Sequence, residues 1–260
     1  MNGTNSPAEI AEIWVGNGIK KANLSWQKML LLGIFAGMFI GFGSMAFIAA
    51  TAPGGSAAET LIQKLIGASI FPAGLMMVIF CGAELFTGNN LLTLALFDKK
   101  ITMGQMLKNW VIVYIGNLIG SILLAWLLWQ SGLITGPVAE KAIAIAQTKT
   151  AIPFWPAFVR GILCNMLVVL ACWFQAGAKN MIGKIFAVWF PIMTFVFLGF
   201  EHSVANMTYI PLGIFAGADV SFLTMWNNLI PVSLGNIVGG AIIVAGVYWY
   251  CYLRKPEAGK

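Results

Sequence analysis

The sequence predicts an all-α polytopic membrane protein. Six transmembrane helices form an inverted 3+3 repeat in which helices 2 and 5 are broken. Three observations predict this. Hydrophobic residues make up 59% of the 260 and charged residues only 9%, where a soluble domain carries roughly 25% charged. The apolar residues fall into six runs, near 29–50, 65–97, 109–130, 154–177, 185–218 and 229–253. Two of these runs are too long for one crossing, and each holds a copy of the same polar motif.

Taken in order, residues 1–28 are expected to form a cytoplasmic N-terminal helix. Ser6-Pro7-Ala8-Glu9 fits a capping box with proline in the first turn. Ile10, Ile13 and Trp14 would supply the apolar face of an interfacial helix, and a disordered tail is the alternative. Residues 29–136 form the first three-helix repeat. Its second run, 65–97, would extend about 50 Å as a straight helix, well beyond the roughly 20 residues that a crossing needs. It must therefore break, and Gly82-x-Glu84-x-x-x-x-Asn89 marks the place. Residues 137–153 read as an extracytoplasmic linker loop, since Gly132, Gly136, Pro137 and Pro153 punctuate that region. Residues 154–253 form the second repeat, where Gly199-x-Glu201-x-x-x-x-Asn206 breaks the fifth run, and 254–260 form a cytoplasmic tail.

The repeat rests on two motifs in one order. Gly82 and Gly199 are 117 residues apart. Gly116-Asn117-x-x-Gly120 and Gly235-Asn236-x-x-Gly239 are 119 apart. Halves with three crossings each must have opposite topology, the arrangement of many transporters and channels. Lysine and arginine orient the chain: with both termini in the cytosol, eleven lie inside and four outside, namely Lys64, Lys141, Lys149 and Arg160. The net charge of +6 is scattered and not striped, which suits a bilayer-embedded protein and excludes nucleic acid as a partner. Cys81, Cys164, Cys172 and Cys251 show no metal or disulfide spacing, so no metal and no cofactor is expected. Residues 1–28 carry five charges and no compact apolar core, unlike a cleavable signal.

The buried polar residues carry the chemistry. A charge at the bilayer centre costs about 2.5–3.5 kcal/mol on insertion scales. Glu84 and Glu201 are therefore expected to be structural, tying the backbone N–H groups that a helix break exposes. His202 is the single histidine and lies at the second break, where titration would let it exchange a proton with a weak acid. Free N–H groups at the breaks, with Thr87 and Ser203 beside them, would make the midplane hospitable to a small anion. A hydrolase built on Ser203 and His202 is disfavoured: adjacent helical residues diverge by about 100° and no hydrolase motif accompanies them.

Gly82-Ala83-Glu84-Leu85-Phe86-Thr87-Gly88 and Gly199-Phe200-Glu201-His202-Ser203-Val204-Ala205-Asn206-Met207 resemble the signatures of the formate/nitrite transporter family, which includes hydrosulfide channels. The resemblance covers nearly the whole chain. It implies an aquaporin-like fold, a homopentamer with one pore per protomer in the cell membrane, and a channel or transporter for formate, nitrite or hydrosulfide with possible proton coupling. It does not imply an enzyme. It also implies the site. His202 is the pore histidine, Thr87 the loop threonine, and Lys149 the vestibule lysine that collects anions. Asn165 and Asn206 are the pore asparagines. Leu85, Phe86 and Val168 form the outer constriction, and Phe71, Leu75 and Phe195 the inner one. An aquaporin-like channel for neutral solutes is the rival, although Asn89 and Asn206 precede Asn90 and Met207 where aquaporins carry Asn-Pro-Ala boxes.

Overall fold

The computed structural model of the protein describes residues 3–52, 54 and 56–254. Its elements in chain order are α1 (Pro7–Ala22), α2 (Trp26–Thr51), α3 (Ala57–Ile70), α4 (Ala73–Phe80), a 3₁₀ turn (Gly88–Leu91) and α5 (Leu92–Phe97). They continue with α6 (Met103–Gln130), α7 (Gly136–Thr150), α8 (Phe154–Gly177), α9 (Met181–Leu198), α10 (Ser203–Phe215), α11 (Trp226–Ile237), a π-helical segment (Val238–Ala245) and α12 (Gly246–Tyr252). Among the described residues six helices are long and apolar enough to cross a membrane, and no named strand forms. The expected tail from residue 255 onward lies outside the described residues.

Local chemistry explains most boundaries. Ser6 and Glu9 cap α1 reciprocally, and the Ser6 backbone N–H and hydroxyl hold the Glu9 carboxyl below its usual range. Asn5 ties this end of α1 to the carbonyls of Ala176 and Gly177 at the end of α8. The second crossing starts at Ala57, ahead of the apolar run, because Ser56 and Glu59 form a further capping box. Of residues 137–153, expected to be a loop, 137–150 fold within α7. Pro137 sits in the first turn, where its missing N–H costs nothing, and an alanine-rich stretch follows. Ala142 and Ala146 are small enough for α7 to lie directly on Gly213 of α10.

Both breaks occur where expected and have one geometry. α4 ends at Phe80 with Cys81 as its cap and α9 ends at Leu198, and Gly82 and Gly199 then turn through φ of +77° and +76°. Only glycine adopts this region without penalty. The Ala83 N–H donates to Val78 O and the Phe200 N–H to Phe195 O, closing each helix in a Schellman turn. Pairs of crossings pack backbone to backbone: a Cβ on Gly120 would overlap the Ile34 carbonyl of α2, and one on Gly239 would overlap the Ile162 carbonyl of α8.

Candidate functional site

Each break leaves backbone groups without helical partners, and the structure shows how they are satisfied. Asn117 Oδ1 accepts the Phe86 N–H at 2.9 Å, while its amide donates to Gly33 O and Glu84 O. Asn236 does the same at the second break: it accepts the Ser203 N–H at 2.9 Å and donates to Gly161 O and Glu201 O. The glutamates were expected in this role. The asparagines of the repeated G-N-x-x-G motif fill it instead, because an amide both accepts and donates and a carboxylate only accepts.

The glutamates form ion pairs. Lys21 Nζ lies 2.6 Å from Glu84, and Lys149 Nζ lies 2.9 Å from Glu201 and 5.4 Å from the Tyr209 ring centroid. Asn89 donates to Glu84 at 2.7 Å and Asn206 to Glu201 at 2.6 Å. Asn109 and Asn228 complete each set, donating to the carbonyls of Lys21 and Lys149. Position for position the two sets match, so the repeat extends to α1 and α7, which contribute the lysines. Lys149 was expected to offer a free charge at its vestibule. Its charge is instead paired with Glu201 beside the opening.

His202 caps α10. Its Nδ1 accepts the Ala205 N–H at 3.0 Å, and its Nε2 lies 2.9 Å from Thr87 Oγ1. An accepting Nδ1 carries no proton, so the neutral ring bears its proton on Nε2 and donates it to Thr87. A second proton would have to enter at Nδ1 and displace the Ala205 bond. Ser203 Oγ makes no hydrogen bond to His202, so no nucleophile–base pair forms. Of the N–H groups at the breaks, those of Phe86, Ser203 and Ala205 are taken up by Asn117, Asn236 and His202.

Three cavities follow one another by their shared walls, and His202 borders two of them. One of about 120 Å3 opens beside Lys149, Glu201 and Asn206 and ends at Phe71 and Phe195. The Phe71 and Phe195 rings meet edge to face at 5.7 Å, and Phe195 stacks on His202 at 5.8 Å. A chamber of about 10 Å3 follows, lined by Ile40, Phe71, Leu75, Leu85, Val168, Ile192, Phe195 and His202. Beyond Leu75 and Leu85 a vestibule of about 390 Å3 opens under α1, bordered by Lys20, Lys21 and Glu84. Neighbouring cavities share walls: Phe71, Phe195 and His202 border the first two, and Leu75 and Leu85 the last two.

This order corrects two expectations. Phe71 and Phe195 face the Lys149 vestibule, whereas Leu85 and Leu75 face the α1 vestibule, so the ring beside Lys149 is the one expected at the far end. Phe86 is absent from all three linings. Its ring packs against Trp110 and Tyr114, because successive residues at the break point in different directions. Asn165 stays outside the path and clamps the first break, donating to Thr87 O, Asn90 Oδ1 and Asn236 O. Sequence reasoning missed Lys21, Asn109 and Asn228. Asn109 and Asn228 share the 119-residue spacing of the G-N-x-x-G motifs, so that spacing was their available signal.

Comparison with known proteins returns one consistent picture. A family model described as "Formate/nitrite transporter" matches residues 8–250. The chain is 42% identical to an uncharacterised transporter of Bacillus subtilis, over 98% of this chain and 96% of that one. It is 38% identical to a probable formate transporter of Methanothermobacter thermautotrophicus, covering 96% and 98%. It is 37% identical to a formate channel of Escherichia coli K12, covering 96% and 95%. Among solved structures, an ion channel of the same family superposes with a TM-score of 0.82 at 30% identity, covering 94% of this chain and 98% of that one. A pentameric formate channel with formate bound superposes at 0.77 and 34%, covering 88% and 98%.

Proposed function

The chain belongs to the formate/nitrite transporter family, and from that premise we propose that it is a membrane channel for small monovalent weak-acid anions. Formate is the first candidate, with nitrite and hydrosulfide in the same chemical class. The protein works as a homopentamer in the cell membrane, one path per protomer, built as an inverted 3+3 repeat. Both termini face the cytosol, which puts the Lys149 vestibule outside and the α1 vestibule inside.

The observation that carries this reading is the succession of three cavities with shared walls, two of them bordered by His202. The chamber holds about one water-sized probe, so Phe71, Phe195, Leu75 and Leu85 must move for a substrate to pass. An unpaired carboxylate in a dry apolar medium is penalised by tens of kcal/mol, whereas a neutral acid loses only its hydrogen bonds. His202 is the polar residue that lines the chamber, and its Nε2 is held by Thr87 Oγ1 at 2.9 Å. A neutral imidazole does not surrender its Nε2 proton to formate, and in this conformation that proton is committed to Thr87 Oγ1. A relay through His202 requires prior protonation at Nδ1 and release of the Ala205 N–H. The proton that neutralises the substrate otherwise comes from the vestibule water.

Flux of formate, nitrite, hydrosulfide and sulfate into proteoliposomes, with and without a pH gradient, tests the proposal. The three monovalent anions should pass and an inward proton gradient should accelerate them. Sulfate flux equal to formate flux, or water and glycerol flux without formate flux, refutes it.

A further inference from the structure

Lys149 is held by Glu201, so collection of anions at that mouth falls to other groups. Next to the pair lies a hollow of about 290 Å3 whose charged lining residues are Lys141, Lys149, Arg160 and Glu201. Three cations against one carboxylate leave an excess of two positive charges. Lys141 stands on α7 two turns ahead of Lys149. Arg160 stands on α8, and its carbonyl accepts the Glu201 N–H at 3.3 Å, which fixes it to the second break. Neither forms an ion pair among the described residues. The repeat-equivalent positions on the α1 side are Ile13 and Leu32, so the hollow is a feature of one mouth only.

We propose that Lys141 and Arg160 form an antechamber that gathers small monovalent anions and passes them to the Lys149–Glu201 vestibule. The proposal rests on the transport reading above. The hollow is open to water, so binding there is loose. Two unit charges about 8 Å from an anion in water raise its local concentration roughly five-fold, an effect that physiological salt largely screens. Because the apolar rings limit passage, the antechamber changes how much substrate is needed and leaves the maximal rate alone.

The test is initial formate uptake into proteoliposomes against concentration, at about 10 mM and about 500 mM salt on both sides. Wild type is compared with the Lys141→Gln/Arg160→Gln pair and with the charge-keeping pair Lys141→Arg/Arg160→Lys. The glutamine pair should raise the half-saturating concentration about three- to five-fold at low salt, with an unchanged maximum and convergence on wild type at high salt. The charge-keeping pair should follow wild type throughout. An unchanged half-saturating concentration in the glutamine pair overturns the proposal. So does an equal loss in the charge-keeping pair, which would point to shape. A wild-type protein that moves neither formate, nitrite nor hydrosulfide refutes the transport reading, and this inference falls with it.

Discussion

Glu201→Gln leaves the Lys149 ammonium facing a neutral amide where the lysine side chain is 14% exposed and the glutamate 5%. At 2.9 Å and an effective dielectric near 20, the attraction removed is about 6 kcal/mol before desolvation is counted. Desolvation offsets part of it, and breaking a buried pair from one side costs about 3–5 kcal/mol in comparable sites. The glutamine oxygen still accepts from Asn206 and Asn228, so that part of the network survives. Removing the second charge should then restore stability: Lys149→Met in the Glu201→Gln background should return to within about 1 kcal/mol of wild type. The resulting coupling energy is about 2–4 kcal/mol. Unfolding titrations of all four proteins of the cycle in mixed micelles, at matched pentamer content, give the number. If Lys149→Met fails to rescue Glu201→Gln, the carboxylate supports the helix break directly and the division of labour between glutamate and asparagine is wrong.

Three further outcomes are expected. Asn236→Leu strands the Ser203 N–H and the carbonyls of Gly161 and Glu201, so it should cost about 3 kcal/mol or more with no rescue by Lys149→Met; a loss under about 1 kcal/mol in the same titration contradicts the brace. His202→Asn keeps an oxygen cap for α10 and loses the link to Thr87, so formate flux should fall at every pH while the shape of the profile persists; a flattened profile means that the ring takes up a proton during transport. Gly120→Ala forces α2 and α6 apart at the Ile34 carbonyl and should destabilise by about 1–3 kcal/mol, with near-wild-type melting arguing against so close a packing.

The six crossings and both breaks were legible because membrane chemistry is written in composition and because glycine alone turns at Gly82 and Gly199. The motif spacing also carried the repeat. Its meaning did not follow, since spacing tells which asparagines correspond and not which backbone groups they meet. Lys21 was harder still: it lies on α1, outside the apolar runs, and Lys149 on α7 was named only through the family resemblance. Gly136 and Pro137 misled for a related reason. The pair that usually interrupts a helix also suits the start of one, and only the packing of Ala142 and Ala146 on Gly213 decides between them. Phe86 entered the outer constriction through the family resemblance, and at the break its ring turns to Trp110 and Tyr114.

The charges along the path add a constraint that no single residue shows. Glu84 cancels Lys21, Glu201 cancels Lys149, and the hydrogen bonds of His202 describe a neutral ring. The buried path therefore holds no uncompensated charge against which an anion could exchange its water. Selection then acts on dehydration. The solvation penalty grows with the square of the charge, so a divalent anion faces about four times the penalty of a monovalent one of equal size. A weak acid escapes by arriving neutral, and the short chamber between Phe71 and Leu85 needs to hold it only briefly. On this argument sulfate exclusion and acceleration by protons have one origin. Placing a fixed charge in the chamber, as Leu85→Lys would, should disturb both together: formate flux should lose its dependence on the proton gradient as the pore begins to admit bare anions. If Leu85→Lys assembles, admits anions and keeps the full proton dependence, dehydration is not what selects.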